Sequence, residues 1–133
     1  MNIEQQVCSL ELSKRLHELG VKSDSIFVHI IEEGGNHRII CLLQEFKHLQ
    51  IRYVETYNAY TAGELGLILP DGHYSMKHEH EFTVWDDAIA SDAALRLVRA
   101  TQSKSEADCR AKALIWLIEN GYVKVEHINN EPI

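Results

Sequence analysis

The sequence predicts an α+β fold, a single domain with a central, mainly antiparallel sheet and helices packed on it. Three observations carry that prediction. Two β-branched runs, "SIFVHIIEE" and "HRIICLLQEF", flank Gly34-Gly35-Asn36, the composition of a hairpin turn. "YSMKHEHEFTVW", residues 74–85, alternates residue by residue like one long strand. Stretches near both ends of the chain repeat apolar residues at helical spacing. With 133 residues, 45% of them hydrophobic and 25% charged, the chain is long enough to bury a core and too apolar to stay disordered.

The first expected element is a helix in which Cys8, Leu12, Leu16 and Leu19 recur, with Val7 nearby, and Gly20 closes it. In the hairpin, Ile26, Val28 and Ile30 lie on one face and Phe27, His29 and Ile31 on the other. The partner strand offers Ile39, Cys41 and Leu43 against Ile40 and Leu42. Apolar residues on both faces call for cover on both. "IRYVETY", residues 51–57, reads as a third strand or an extended connection. A short helix at 61–69 follows, opened by the capping-box pair Thr61 and Glu64 and stopped by Pro70.

In the alternating run, Tyr74, Met76, His78, His80, Phe82 and Val84 share one face, and Ser75, Lys77, Glu79, Glu81, Thr83 and Trp85 the other. "SDAALRLVRA" has helix-forming composition, yet "LRLVRATQS" also works as a strand before a capped helix, and a strand near residues 95–101 is the reading preferred. "SKSEADCRAKALIWLIENG" then gives a helix capped by Ser105, with Asp108 at the box position and Gly121 at its end. Its buried stripe is Ala107, Ala111, Leu114, Ile115 and Ile118, widened by Trp116 and Leu117. Glu106–Arg110 and Asp108–Lys112 are spaced for i,i+4 ion pairs. "YVKVEHI" is read as a short edge strand before a fraying tail.

The net charge of −7 opposes binding to duplex nucleic acid or to anionic membranes. No long apolar run and no secretory leader pattern is seen, so a cytoplasmic protein is expected. Cys8, Cys41 and Cys109 are odd in number, widely spaced and without a CxxC pair, the pattern of small buried thiols in a reducing compartment. His78 and His80, two apart on one strand, would face the same way and could ligate a metal if a third ligand approached. No second HxH supports them, and a metal-dependent hydrolase is kept only as an alternative. His29 is read as a satisfied core histidine. There is no GxSxG elbow, Walker loop or GxGxxG, so neither catalytic residues nor a cofactor is expected and the protein is read as non-enzymatic.

One stretch does invite a ligand. In "NAYTAGELGLILPDG", Gly63 and Gly66 are poor helix formers, each costing about 1 kcal/mol against alanine. That cost points to close packing or the close approach of another group. Amides at the start of this helix suit an anion, and Tyr57 and Tyr60 suit stacking on a base. Residues 96–112 carry Arg96, Arg99, Lys104, Arg110 and Lys112 against Glu106 and Asp108. The expected ligand-binding set is therefore Tyr57, Tyr60 and Thr61 with Arg96, Arg99 and Arg110, for a small anionic nucleotide-like ligand. A homo-oligomer is expected, because a symmetric interface adds pocket walls to a small chain.

The motifs "VCSLELSKRLHELGVK", "AYTAGELGLILPDG" and "EADCRAKALIWLIENG", in that order, resemble those of a group of small phage- and prophage-encoded proteins. The resemblance covers most of the chain and implies a phage-encoded cytosolic protein, with no functional residue to carry over. Small phage proteins often act by binding, and some sequester the cyclic nucleotide signals of host defence. By that analogy the leading expectation is an anti-defence sponge for a nucleotide-like immune signal. A direct inhibitor of a host protein is the second.

Overall fold

The computed structural model describes residues 2–42 and 53–130, with backbone alone for residues 53, 54 and 130. It is the expected α+β architecture of antiparallel strands with helices packed on them. The described strands divide between two sheets.

The chain opens with α1 (Ile3–Gln6) and α2 (Leu10–Glu18). The helix begins later than the apolar spacing implied. Val7 and Cys8 are extended, Val7 bridges Thr61, and the Cys8 amide donates to the Tyr60 carbonyl. Ser9 is the cap, its side chain accepting from the Leu12 amide, and Gly20 closes the end at φ +92°. The hairpin is β1 (Phe27–Glu32) and β2 (His37–Cys41), turned through Gly34 and Gly35, both at positive φ. The third strand, β3 (Tyr53–Ala59), pairs with the other edge of β1, giving the order β2-β1-β3. Val28, Ile30 and Ile40 form a small apolar cluster on one face, while His29 is buried on the other. Leu43, residues 44–46 and 51–52, and the tail from residue 131 lie outside the described residues.

Next comes α3 (Ala62–Ile68), then β4 (His73–His78) and β5 (Glu81–Asp86). The single strand expected over residues 74–85 is therefore a hairpin. It turns at Glu79 and His80, with Glu79 at φ +56°. The pairing Tyr74↔Trp85 and Ser75↔Val84 reverses the expected sidedness. Tyr74 and Met76 share a face with Thr83 and Trp85, and Ser75 and Lys77 share one with Phe82 and Val84. Glu79 occupies a conformation that non-glycine residues rarely adopt, and the turn lacks the usual glycine or asparagine. The cross-strand ladder and the mutual Phe82–Ser103 backbone bonds hold it.

The strand expected at 95–101 is instead α4 (Ser91–Thr101), which buries Ala93, Ala94, Leu97 and Thr101. That spacing is one helical face. Thr101 Oγ1 accepts from the Val84 amide, pinning the helix end to β5. The longest helix, α5 (Glu106–Glu119), buries Ala107, Cys109, Ala111, Ala113, Leu114 and Leu117, a wider face than the expected stripe because it meets several elements at once. Ile115, Trp116 and Ile118 are only partly buried. Ser105 caps α5 as expected, but Asp108 does not close a box: its Oδ1 accepts from the Ser9 amide at 2.7 Å. Lys112 donates to the Gln102 carbonyl and forms no pair with Asp108. The expected edge strand after Gly121 is the short helix α6 (Val125–Asn130). No helix among the described residues is long and apolar enough to cross a membrane.

Candidate functional site

The turn at Thr61 is a closed capping box. Thr61 Oγ1 accepts from the Glu64 amide at 3.1 Å, and Glu64 Oε1 accepts from the Thr61 amide at 2.9 Å. The second carboxylate oxygen of Glu64 takes the Ile26 amide at 2.8 Å. These donors are used by the protein itself, and the seven-residue helix is too short to present a strong dipole. The phosphate expected at Thr61 and the helix start, with the arginines, therefore finds the Thr61 and Glu64 amides already taken.

Arg110 is brought to this turn. Its Nη1 donates to the Ala62 carbonyl at 2.6 Å, its Nε donates to Ser75 Oγ at 3.0 Å, and Nη2 pairs with Glu106 at 2.8 Å. The guanidinium is a strut between α5, α3 and β4, not a free ligand arm. It also explains one of the two glycines. A Cβ on Gly66 would stand 2.8 Å from Arg110 Nη1, whereas one on Gly63 would meet only Thr61 Oγ1 at 3.9 Å. The approaching group that Gly66 accommodates is the protein's own arginine.

Tyr60 is buried, with its hydroxyl donating to the Ser23 carbonyl at 2.7 Å, and burial pushes its phenol up to about 12. It cannot stack on a ligand. Tyr60→Phe is expected to cost about 1 kcal/mol, because the Ser23 carbonyl loses its nearer donor and keeps only the Asn58 amide at 3.0 Å. Chemical denaturation measures it; a change below about 0.5 kcal/mol would contradict the assignment. Tyr57 lies on β3, bonded to Glu55, edge-on to His17 and near Lys14. Arg96 and Arg99 are exposed on α4, which packs on β5 and α5. Of the six expected residues, only Thr61 and Arg110 come together.

Beside that pair lies a groove of about 600 Å³. Thr61, Ala62 and Gly63 form one wall, Lys104, Ser105, Glu106 and Ala107 the other, and Phe82 and Gln5 also line it. Phe82 and Ala62, both partly exposed, are among its apolar lining. Lys104 is exposed within it, and Lys77 sits 5.4 Å over the Phe82 ring. Lys104 thus lines the groove, Lys77 lies over its Phe82, and Glu106 in its wall is paired with Arg110. Phe82 and Lys77 are absent from the expected set because reading one long strand put them on opposite faces. The true register unites them.

His78 ends β4 and His80 sits in the turn, so they no longer share a strand face. Among the described residues no three His, Cys, Asp or Glu side chains are placed to hold a metal. Burial raises the Cys8 and Cys109 thiols to about 11, so both stay protonated near neutral pH and are poor nucleophiles. Comparison with protein-family models, with characterised proteins and with solved structures yields no significant match, which leaves the chemistry of the groove as the ground for a functional reading.

Proposed function

We propose that this chain is a non-enzymatic binding protein that takes a small anionic, nucleotide-like ligand in the groove between the starts of α3 and α5. The observation that supports this most is an apolar floor that includes Phe82 and Ala62, with Lys104 lining the same groove and Lys77 over the Phe82 ring. A flat base would lie on the floor and its phosphate would meet the lysines. With the phage-type sequence resemblance, this reading extends to an anti-defence sponge for a cyclic or ADP-ribose-derived signal in the cytoplasm. The open side of the groove suits closure by a second copy, which native mass measurement checks.

Calorimetry against a panel of cyclic and ADP-ribose-derived nucleotides tests the proposal. Lys104→Glu is expected to weaken the bound member at least tenfold, about 1.4 kcal/mol, with unchanged thermal stability. No heat across the panel at high protein concentration would overturn the reading.

A second reading, inhibition of a host protein by direct contact, is favoured by a separate apolar surface. Ile26, Leu42, Leu67 and Ile68 line one concavity of about 310 Å³, and Leu67 is 71% exposed. Under this reading Leu67→Glu abolishes capture of the host partner, whereas Lys104→Glu leaves it intact.

A further inference from the structure

His29 and His37 face each other diagonally across the β1–β2 hairpin, on the sheet face opposite Val28 and Ile30. His29 is only 1% exposed, and both of its ring nitrogens are bonded. Its Nε2 lies 2.8 Å from the Cys8 carbonyl, which can only accept, so Nε2 carries the proton. In the neutral ring Nδ1 is then bare. His37 Nε2, 2.8 Å from that Nδ1, must be the donor. The two tautomers are fixed by a single backbone carbonyl.

We propose that this histidine pair is an acid-released latch on the β1–β2 hairpin. A proton added from solvent to the exposed His37 Nδ1 leaves its Nε2–H donating, and the latch holds. A proton on His29 Nδ1 alone is accommodated, because the exposed His37 can hold its own proton on Nδ1 and accept through Nε2. Once both rings are protonated, two N–H groups stand against each other with a cation in a dry site. The bond must then break. The Cys8 side does not give readily, because Val7 and Cys8 are buried and joined to Tyr60 and Thr61. Among the described residues β2 pairs only with β1, and its first two residues are exposed. The start of β2 is the part that releases.

The surrounding charges agree with this direction. Burial chiefly holds the His29 imidazole below the ordinary histidine range, and repulsion from His37 adds to it. The Cys8 carbonyl and the Asp108 carboxylate of α5 act the other way without reversing it. From β3, Tyr57 stands opposite His29, with His17 and Lys14 of α2 on its far side. Because the unfolded chain binds this proton more readily, the contribution to stability is full above about pH 6.5 and is lost as pH falls toward the folded value.

Hydrogen exchange of the whole chain at about pH 7.5 and about pH 5, corrected for intrinsic rates, reads the latch. Protection of the β2 amides that face β1 should fall about tenfold more than protection of α5 on acidification. In His37→Gln this acid effect should vanish, because an amide can turn its oxygen to accept from protonated His29. Imidazole nitrogen shifts should show His29 Nδ1 gaining its proton in the same pH window. Equal β2 protection at both pH values, the same acid loss in His37→Gln, or a uniform loss across all elements would overturn the proposal.

Discussion

Leu65→Ala is expected to cost about 3 kcal/mol of unfolding free energy, within the 2–5 kcal/mol range for emptying a buried leucine site. Leu65 is the buried residue of α3 and is fully enclosed in the main core. The helix has seven residues, too few to be stable without tertiary contacts, and it packs on α5. The loss should therefore include the position of α3 itself and, with it, one wall of the groove. Leu67, two residues on and 71% exposed, supplies the control: Leu67→Ala should change stability by less than about 0.5 kcal/mol. Urea denaturation of both variants measures the contrast. Equal effects would mean that α3 is not anchored by Leu65.

Arg110 and Gly66 should be coupled with a change of sign. Arg110→Met keeps the aliphatic stem but loses the bonds to Ala62 and Ser75 and the pair with Glu106, a loss of about 2 kcal/mol. The Arg110 side chain is 20% exposed and Glu106 more so, which keeps the figure below that of a fully dry pair. Gly66→Ala should destabilise the native chain, since the new Cβ would stand 2.8 Å from a guanidinium held at three points. In the Arg110→Met background the same substitution should gain up to about 1 kcal/mol, the ordinary helix preference for alanine. Gly63→Ala, whose Cβ would make only an ordinary contact with Thr61 Oγ1 at 3.9 Å, should be stabilising in both backgrounds. A double-mutant cycle by denaturation reads the coupling, expected at about 1–3 kcal/mol. Simple additivity would show that Arg110 does not cross Gly66.

The features legible in the sequence are those whose partners lie within a few residues. The Thr61–Glu64 box, the Ser105 cap, the Gly20 helix end and the glycine turn of the first hairpin each need only local bonds. The second hairpin was hidden because Glu79-His80 carries no turn signal, and the alternation of residues 74–85 runs through it without a break. The α4 region resembles a strand in sequence because Leu95 and Leu97 alternate. Its true face joins Ala93, Leu97 and Thr101, and small Ala and Thr residues mark such a face weakly. Asp108 occupies a box position, yet it serves an amide 99 residues away in sequence.

By itself, then, the sequence determined the acidic balance, the α+β class and the local caps and turns, because charge and short-range hydrogen bonds do not depend on distant chain. Tertiary structure alone decided which cations remain available. It spends Arg110 inside the fold, buries Tyr60, leaves Arg96 and Arg99 on α4, and gathers Lys77 and Lys104 about Phe82. The reason is that a side chain goes to whichever partner the packing brings within about 3 Å, and residues far apart in sequence supply those partners.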